Sequence, residues 1–249
     1  MNADLLSTLT RRVLFAPLHA HGRADLVAER LRTAIALGVL AENEQLPSES
    51  ELAAQFNVSP VTLREALAQL RELGLVTTWR GRGGGTVVSA PLPSQRPAAI
   101  EQAGALSSLD LRDLADWRRA IGTESARLAA RRASSQDILL LERGSRNLSA
   151  AHDEVEARRS DSRFFIELAA AAQSFRLSSS SISLQVEYAP VLTLVYADAV
   201  VRSTVSAVLA GVTDAVKAAD VERAGTLAAK AVDLVAAHAA QLRANGWGS

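Results

Sequence analysis

The run from Leu46 to Val88 leaves this chain few folds to choose from. Pro47 disfavours helix at the residue before it, and Ser48 with Glu51 three places on has the spacing of a capping box. Leu52, Ala53 and Phe56 fall on one face of the helix that follows, and Asn57-Val58 ends it. Ser59-Pro60 starts another, because the serine accepts a helix-end hydrogen bond and proline at the first position loses no needed donor. Leu63, Ala66, Leu67, Leu70 and Leu73 then recur at helical spacing, which leaves Val61, Thr62, Arg64, Glu65 and Ala68 off the buried stripe. Gly74 is placed to end this helix in the left-handed conformation. Leu75 to Trp79 and Thr86 to Val88 read as strands, with Arg80-Gly-Arg82-Gly-Gly-Gly between them.

Two short helices around a tight turn, followed by a glycine-rich hairpin, form the order of a winged helix-turn-helix. The last helix of that module meets base edges in the DNA major groove. Glycines at the hairpin tip let the backbone approach a phosphate or a minor-groove wall, and the arginines add charge. A flexible tip with two solvated arginines is the alternative reading of the same residues. The glycine run lacks the Gly-Lys-Ser/Thr ending of a nucleotide loop, and Thr86 stands where a dinucleotide fingerprint wants its last glycine.

Charge adds nothing to the DNA reading. The 249 residues hold 27 basic and 27 acidic side chains, and residues 1–92 hold nine arginines against nine acids. The expectation of nucleic acid therefore rests on pattern. The chain has no cysteine, which excludes disulfides and thiolate zinc sites and is compatible with the cytoplasm. Its first residues lack a basic-then-apolar signal layout. The most apolar span, Val191 to Val212, contains Asp198 and Arg202, so it reads as a buried core helix and no membrane partner is expected. No Ser-His-Asp order, cysteine nucleophile or cofactor loop supports an enzyme.

Along the chain, residues 1–22 read as an arm with a short helix over Leu5 to Phe15 and a His19-x-His21 pair typical of polar loops. Residues 23–90 hold the winged module, and the prolines at 91, 93 and 97 mark 91–108 as a linker. From 109 to 245 the pattern is helical, with segments near 109–133, 135–157, 160–173, 175–187, 189–213 and 220–243. The serine run 178–181 suggests a break or frayed turn. The expected fold is mainly α: a winged helix-turn-helix with a small hairpin wing, then an all-α bundle.

Residues 23–90 closely resemble the DNA-binding domain of the GntR family of bacterial transcription regulators. The marks are Leu46-Pro47-Ser48-Glu49, Val58-Ser59, Arg64-Glu65-Ala66-Leu67, Leu73-Gly74-Leu75 and Gly83 to Val88. The resemblance implies DNA contacts from Ser48, Ser59, Thr62, Arg64 and the wing residues Arg80, Arg82 and Gly83. Ser50 and Pro60 stand where the family commonly has arginines, so fewer charges meet the duplex.

The helical region resembles, more weakly, the effector-binding and dimerisation domain of the FadR branch, of FCD type. Leu109-Asp110-Leu111, Leu114, Arg118 and Ile121 match its first helix, and Asp161-x-x-Phe164 matches its fourth. Many such domains hold a divalent metal with one Asp and three His. Here Asp161 is present, but Phe165, Leu209 and Ala231 occupy the histidine positions, so no metal or other cofactor is expected. His152 and His238 match none of these positions. The resemblance places Arg118 opposite a ligand carboxylate, with Asp161, Arg163, Tyr188, Tyr196 and Arg202 lining the same interior and Phe165 filling the vacated metal volume.

Together these features imply a homodimeric regulator, taken as a repressor, bound to a pseudo-palindromic double-stranded DNA operator. A small-molecule effector (a carboxylate, fatty acid or acyl thioester) would modulate it. A ligand-independent DNA-binding protein whose helical domain only dimerises is the alternative.

Overall fold

A computed structural model describes residues 7–15, 23–40, 42–79, 85–89 and 96–247. The expectations for His19, His21, Arg80, Arg82, Gly83 and residues 91–95 lie outside these described residues. The chain divides into two compact units, Arg11–Pro93 and Ser94–Ser249 together with Met1–Thr10.

The first unit is built on α2 (Arg23–Ala36), α3 (Glu49–Phe56), α4 (Pro60–Glu72) and a hairpin of β1 (Val76–Trp79) and β2 (Gly85–Val88); α1 (Thr8–Leu14) precedes them. The local signals act as the sequence suggests. Ser48 and Glu51 form a reciprocal capping box, and Asn57 ends α3 at φ 53°. Ser59 caps α4 with Pro60 at its start, and Gly74 takes φ 68°. Val27, Leu31, Leu52, Phe56, Leu63, Leu67 and Leu70 are buried together as the apolar stripes require. The Phe15 ring meets Phe56 edge-on at 5.4 Å.

The hairpin pairs Val76 with Val88 and Trp79 with Gly85. It is wider than the sequence pattern suggests, because Gln45 bridges Val87. The Leu46 N–H donates to the Thr86 carbonyl at 2.8 Å, and the Val88 N–H donates to that of Glu44 at 3.0 Å. This short third segment holds the entrance to α3 against the wing.

The second unit is all helical among the described residues: α5 (Arg96–Ala105), α6 (Ser108–Arg132), α7 (Ser135–Ala150), α8 (Glu154–Ala171), α9 (Phe175–Val195), α10 (Ala199–Lys217) and α11 (Val221–Ala244). Each start from α6 onward has a cap. Ser107 and Ser134 form capping boxes with Asp110 and Asp137, and Asp153, Ser174, Asp198 and Asp220 accept from backbone N–H groups. Helix α6 packs on α11, α8 and α9, α7 packs on α8 and α10, and α10 on α11, around one apolar core.

Three sequence expectations change here. Residues 96–105 form helix α5 within the expected linker, burying Ala99 and Ala103. The serine run lies inside α9, where Ser178 and Ser181 are buried. Pro190 also lies inside α9, and the break falls after Tyr196. Burial of every side chain from Val191 to Tyr196 outweighs the proline's local cost. Helix α10 is long and apolar enough by composition to cross a membrane. Its hydropathy comes with a packed side, since Val205, Leu209, Val212, Ala215 and Val216 belong to the core.

Candidate functional site

Helix α4 presents a polar start. Val61 is 59% exposed, and Arg64 projects its guanidinium to 3.4 Å from the Glu49 carboxylate of α3, both side chains well exposed. An exposed pair of this kind contributes little, about 0–1 kcal/mol, so a phosphate or base edge can take Arg64 from it. Ser59 Oγ accepts the Thr62 N–H at 3.1 Å and shares a 2.9 Å hydrogen bond with the Thr62 hydroxyl. Ser48 Oγ is engaged with Glu51 and with Ser50, at 2.8 and 3.0 Å. Both serines thus stand at helix N-termini, where the helix dipole favours an anion.

Ser48, Glu49 and Arg64 rim a concavity of about 610 Å³ between the start of α3, α4 and the hairpin, with Gln45, Arg71 and Trp79 on its other walls. Arg71 was not singled out from sequence, although it follows Arg64 by two turns on the same side of α4. Its guanidinium donates to Thr78 Oγ1 at 3.2 Å. Trp79, 57% exposed, is a large apolar surface beside it.

In the helical unit, Arg118 of α6 is 1% exposed and Asp161 of α8 is fully buried, and one guanidinium nitrogen of Arg118 donates to Asp161 Oδ2. The Tyr196 hydroxyl donates to Asp161 Oδ1 at 2.7 Å. The guanidinium lies 4.5 Å over the Phe165 ring and 5.1 Å over that of Tyr188. Burial is the largest single influence on Arg118 and works against its charge, but the Asp161 carboxylate together with Tyr196 and Tyr188 leaves the guanidinium pKa raised. Burial and the adjacent carboxylate push the Tyr196 phenol well above its usual range, and burial raises Tyr188. Both phenols are therefore neutral donors at physiological pH.

Five of the seven residues expected at the effector interior, Arg118, Asp161, Phe165, Tyr188 and Tyr196, are thus gathered at one place. Arg202 is half-buried, and its guanidinium donates to the Tyr196 backbone carbonyl at 2.6 Å, which serves a terminal carbonyl of α9. Arg163 is displaced from that interior, because it lies on the side of α8 where its charge acts on Glu167.

The donor set does not fit a transition-metal ion. Both oxygens of Asp161 already accept from Arg118 and Tyr196. The three positions where imidazoles would stand carry the buried apolar side chains Phe165, Leu209 and Ala231. The Arg118 guanidinium supplies the positive charge beside Asp161. Gly122 completes the fit, since a Cβ there would stand 2.9 Å from Phe165 Cε1. Gly122 therefore makes room for the ring that stands at one of the histidine positions.

A winged helix-turn-helix and an α-helical bundle with a buried polar cluster define a two-domain regulator of the helix-turn-helix class. The sequence model of the bacterial regulatory proteins of the gntR family matches residues 23–88, and that of the FCD domain matches residues 113–234. The chain belongs to the gntR family and carries an FCD domain. It is 45% identical over 166 residues to the HTH-type transcriptional regulator RmpR of Mycobacterium gastri, covering 66% of this chain and 60% of that protein. It is 30% identical over 134 residues to the HTH-type regulator Rv0494 of Mycobacterium tuberculosis, covering 53% of this chain and 54% of the relative. The matched stretches thus span less than two thirds of these relatives' own length. Among solved structures, McbR/YncC of E. coli aligns over 90% of this chain and all of its own with a TM-score of 0.55 at 17% identity, a likeness of fold. The families and relatives matched are transcriptional regulators and not enzymes.

Proposed function

We propose that this protein is a cytoplasmic homodimeric transcription regulator, acting as a repressor on a pseudo-palindromic double-stranded DNA operator. Helix α4 enters the major groove with Thr62 and Arg64 toward base edges, and Ser48 and Ser59 meet phosphates at the helix N-termini. The wing residues Arg80, Arg82 and Gly83 track the neighbouring backbone. In the helical unit a small carboxylate or acyl ligand binds without a metal, and its unequal affinity for DNA-competent and DNA-incompetent states sets occupancy of the operator.

The observation that carries the DNA reading is the exposed, lightly tethered Arg64 on the solvent side of a capped α4. The effector reading is supported by Arg118, buried with Nε and Nη1 unpartnered among the described residues, where a ligand carboxylate completes the pairing. A gel shift with duplexes selected by the protein from a randomised pool tests the first. Arg64→Ala should weaken retention at least about tenfold, a loss within the range of one bidentate base contact, with dimer mass unchanged in native mass spectrometry. Unchanged retention would remove α4 from the interface. A monomeric mass for the wild type would remove the dimer.

A further inference from the structure

Buried polar atoms without partners are scarce in folded proteins. In this helical unit several of them line one side of α8. Arg158 is 2% exposed, and its Nε and Nη2 have no partner among the described residues. Burial, with the charge of Arg159, pushes this guanidinium down to about 10, as a cation without a counter-ion requires. Such a charge costs stability that an apolar side chain of similar size would recover.

Residues 158, 162 and 165 recur on one side of α8, with Asp161 at its edge. Seven residues are two turns, about 10 Å along the axis. At the far end of that span the Arg118 guanidinium covers the Phe165 ring and keeps Nε and Nη1 unpartnered. Ser162 Oγ, on the same side of α8, and the hydroxyl of Tyr188, whose ring packs against Arg118, are also buried and unpartnered. The carboxylate of Asp161 is taken up by Arg118 and Tyr196, and the Arg158 guanidinium responds to burial and to Arg159, with no acid among the described residues acting on it. Glu167 falls on the opposite side of α8 and accepts the Ser7 N–H at 3.3 Å.

We infer that the bundle interior takes a short dicarboxylate, with one carboxylate on Arg118, the other on Arg158, and its apolar chain against Phe165. Ser162 and Tyr188 donate to the same two groups. This rests on the effector reading above and narrows its ligand class from a carboxylate to a dianion. The second anionic group is what Arg158 is retained to meet.

The test is the melting temperature of the full chain at matched ionic strength with succinate, glutarate or adipate, set against butyrate and valerate, followed by calorimetry. At least one dicarboxylate should bind about tenfold more tightly than either monocarboxylate, the equivalent of one added charge-assisted contact. Arg158→Met should melt at or above the wild-type temperature without ligand and lose that preference, while Arg158→Lys keeps part of it. Equal stabilisation by both classes would overturn the dianion and leave the effector reading standing. No stabilisation by any of the five probes would overturn both. A dicarboxylate preference surviving in Arg158→Met would remove Arg158 from the site.

Discussion

Arg118 and Asp161, 43 residues apart in sequence, form an ion pair with side-chain exposures of 1% and 0%. Two charges are removed from water here, and their attraction offsets that cost only while the geometry and the Tyr196 hydrogen bond hold. Asp161→Ala should therefore cost about 3–5 kcal/mol in urea unfolding, because it leaves a buried guanidinium uncompensated. Replacing both partners, as Arg118→Met with Asp161→Leu, should recover most of that loss. A single substitution that unfolds at the wild-type urea concentration would show that the pair is not what holds α6 to α8.

Gly122 and Phe165 are fitted to one another. Gly122→Ala should cost about 1–3 kcal/mol by overpacking against the ring. In the Phe165→Leu background the same substitution should cost clearly less, and thermal melts of the four proteins would give the coupling. Additive losses would mean that the ring moves aside freely.

Glu49 holds Arg64 in the free protein. Glu49→Gln should release it and remove a negative charge from the face proposed to meet DNA. Operator affinity should rise about twofold to fivefold, in line with a surface pair of up to about 1 kcal/mol. The effect should shrink in high salt, as screening requires. Gel shifts at two salt concentrations would decide this, and weaker binding would count against the proposed orientation.

Glu167 is buried, and burial raises its carboxyl pKa, with hydrogen bonds from Ser7 and Thr10 and the charge of Arg163 opposing the shift. A carboxyl raised in the folded state binds its proton more tightly there than in the unfolded chain. Its contribution to stability is complete below the unfolded value and is lost as pH rises through the folded one. Glu167→Gln should flatten the fall in melting temperature as pH rises from the ordinary carboxylate range toward neutrality. An unchanged pH profile would show that the Glu167 proton does not contribute.

Much of the fold can be read locally. Ser48 with Glu51, Ser107 with Asp110 and Ser134 with Asp137 announce helix starts, because a cap needs only a side chain and the N–H groups beside it. The same locality makes the α3–turn–α4 order and the hairpin legible. Local reasoning fails at the junction of segments 175–187 and 189–213 and at the serine run, where it predicts breaks and packing carries α9 through both. It also misses α5, whose sequence is too weakly patterned to declare a buried face.

The candidate site divides in the same way. That Asp161 lacks histidine partners, and that Arg118, Phe165 and the tyrosines sit at interior positions, is what the resemblance to the FCD-type domain implies. Which of them meet it does not say. The turn of α8 past α6 and α9 seats the Arg118 guanidinium on Asp161 and between two aromatic faces, brings Arg202 to the end of α9, and leaves Arg158 buried without a counter-charge among the described residues. Helix starts are settled within a turn by hydrogen bonds between near neighbours. Charge pairing in a bundle interior is settled by how helices far apart in sequence pack, and only the tertiary structure decides that.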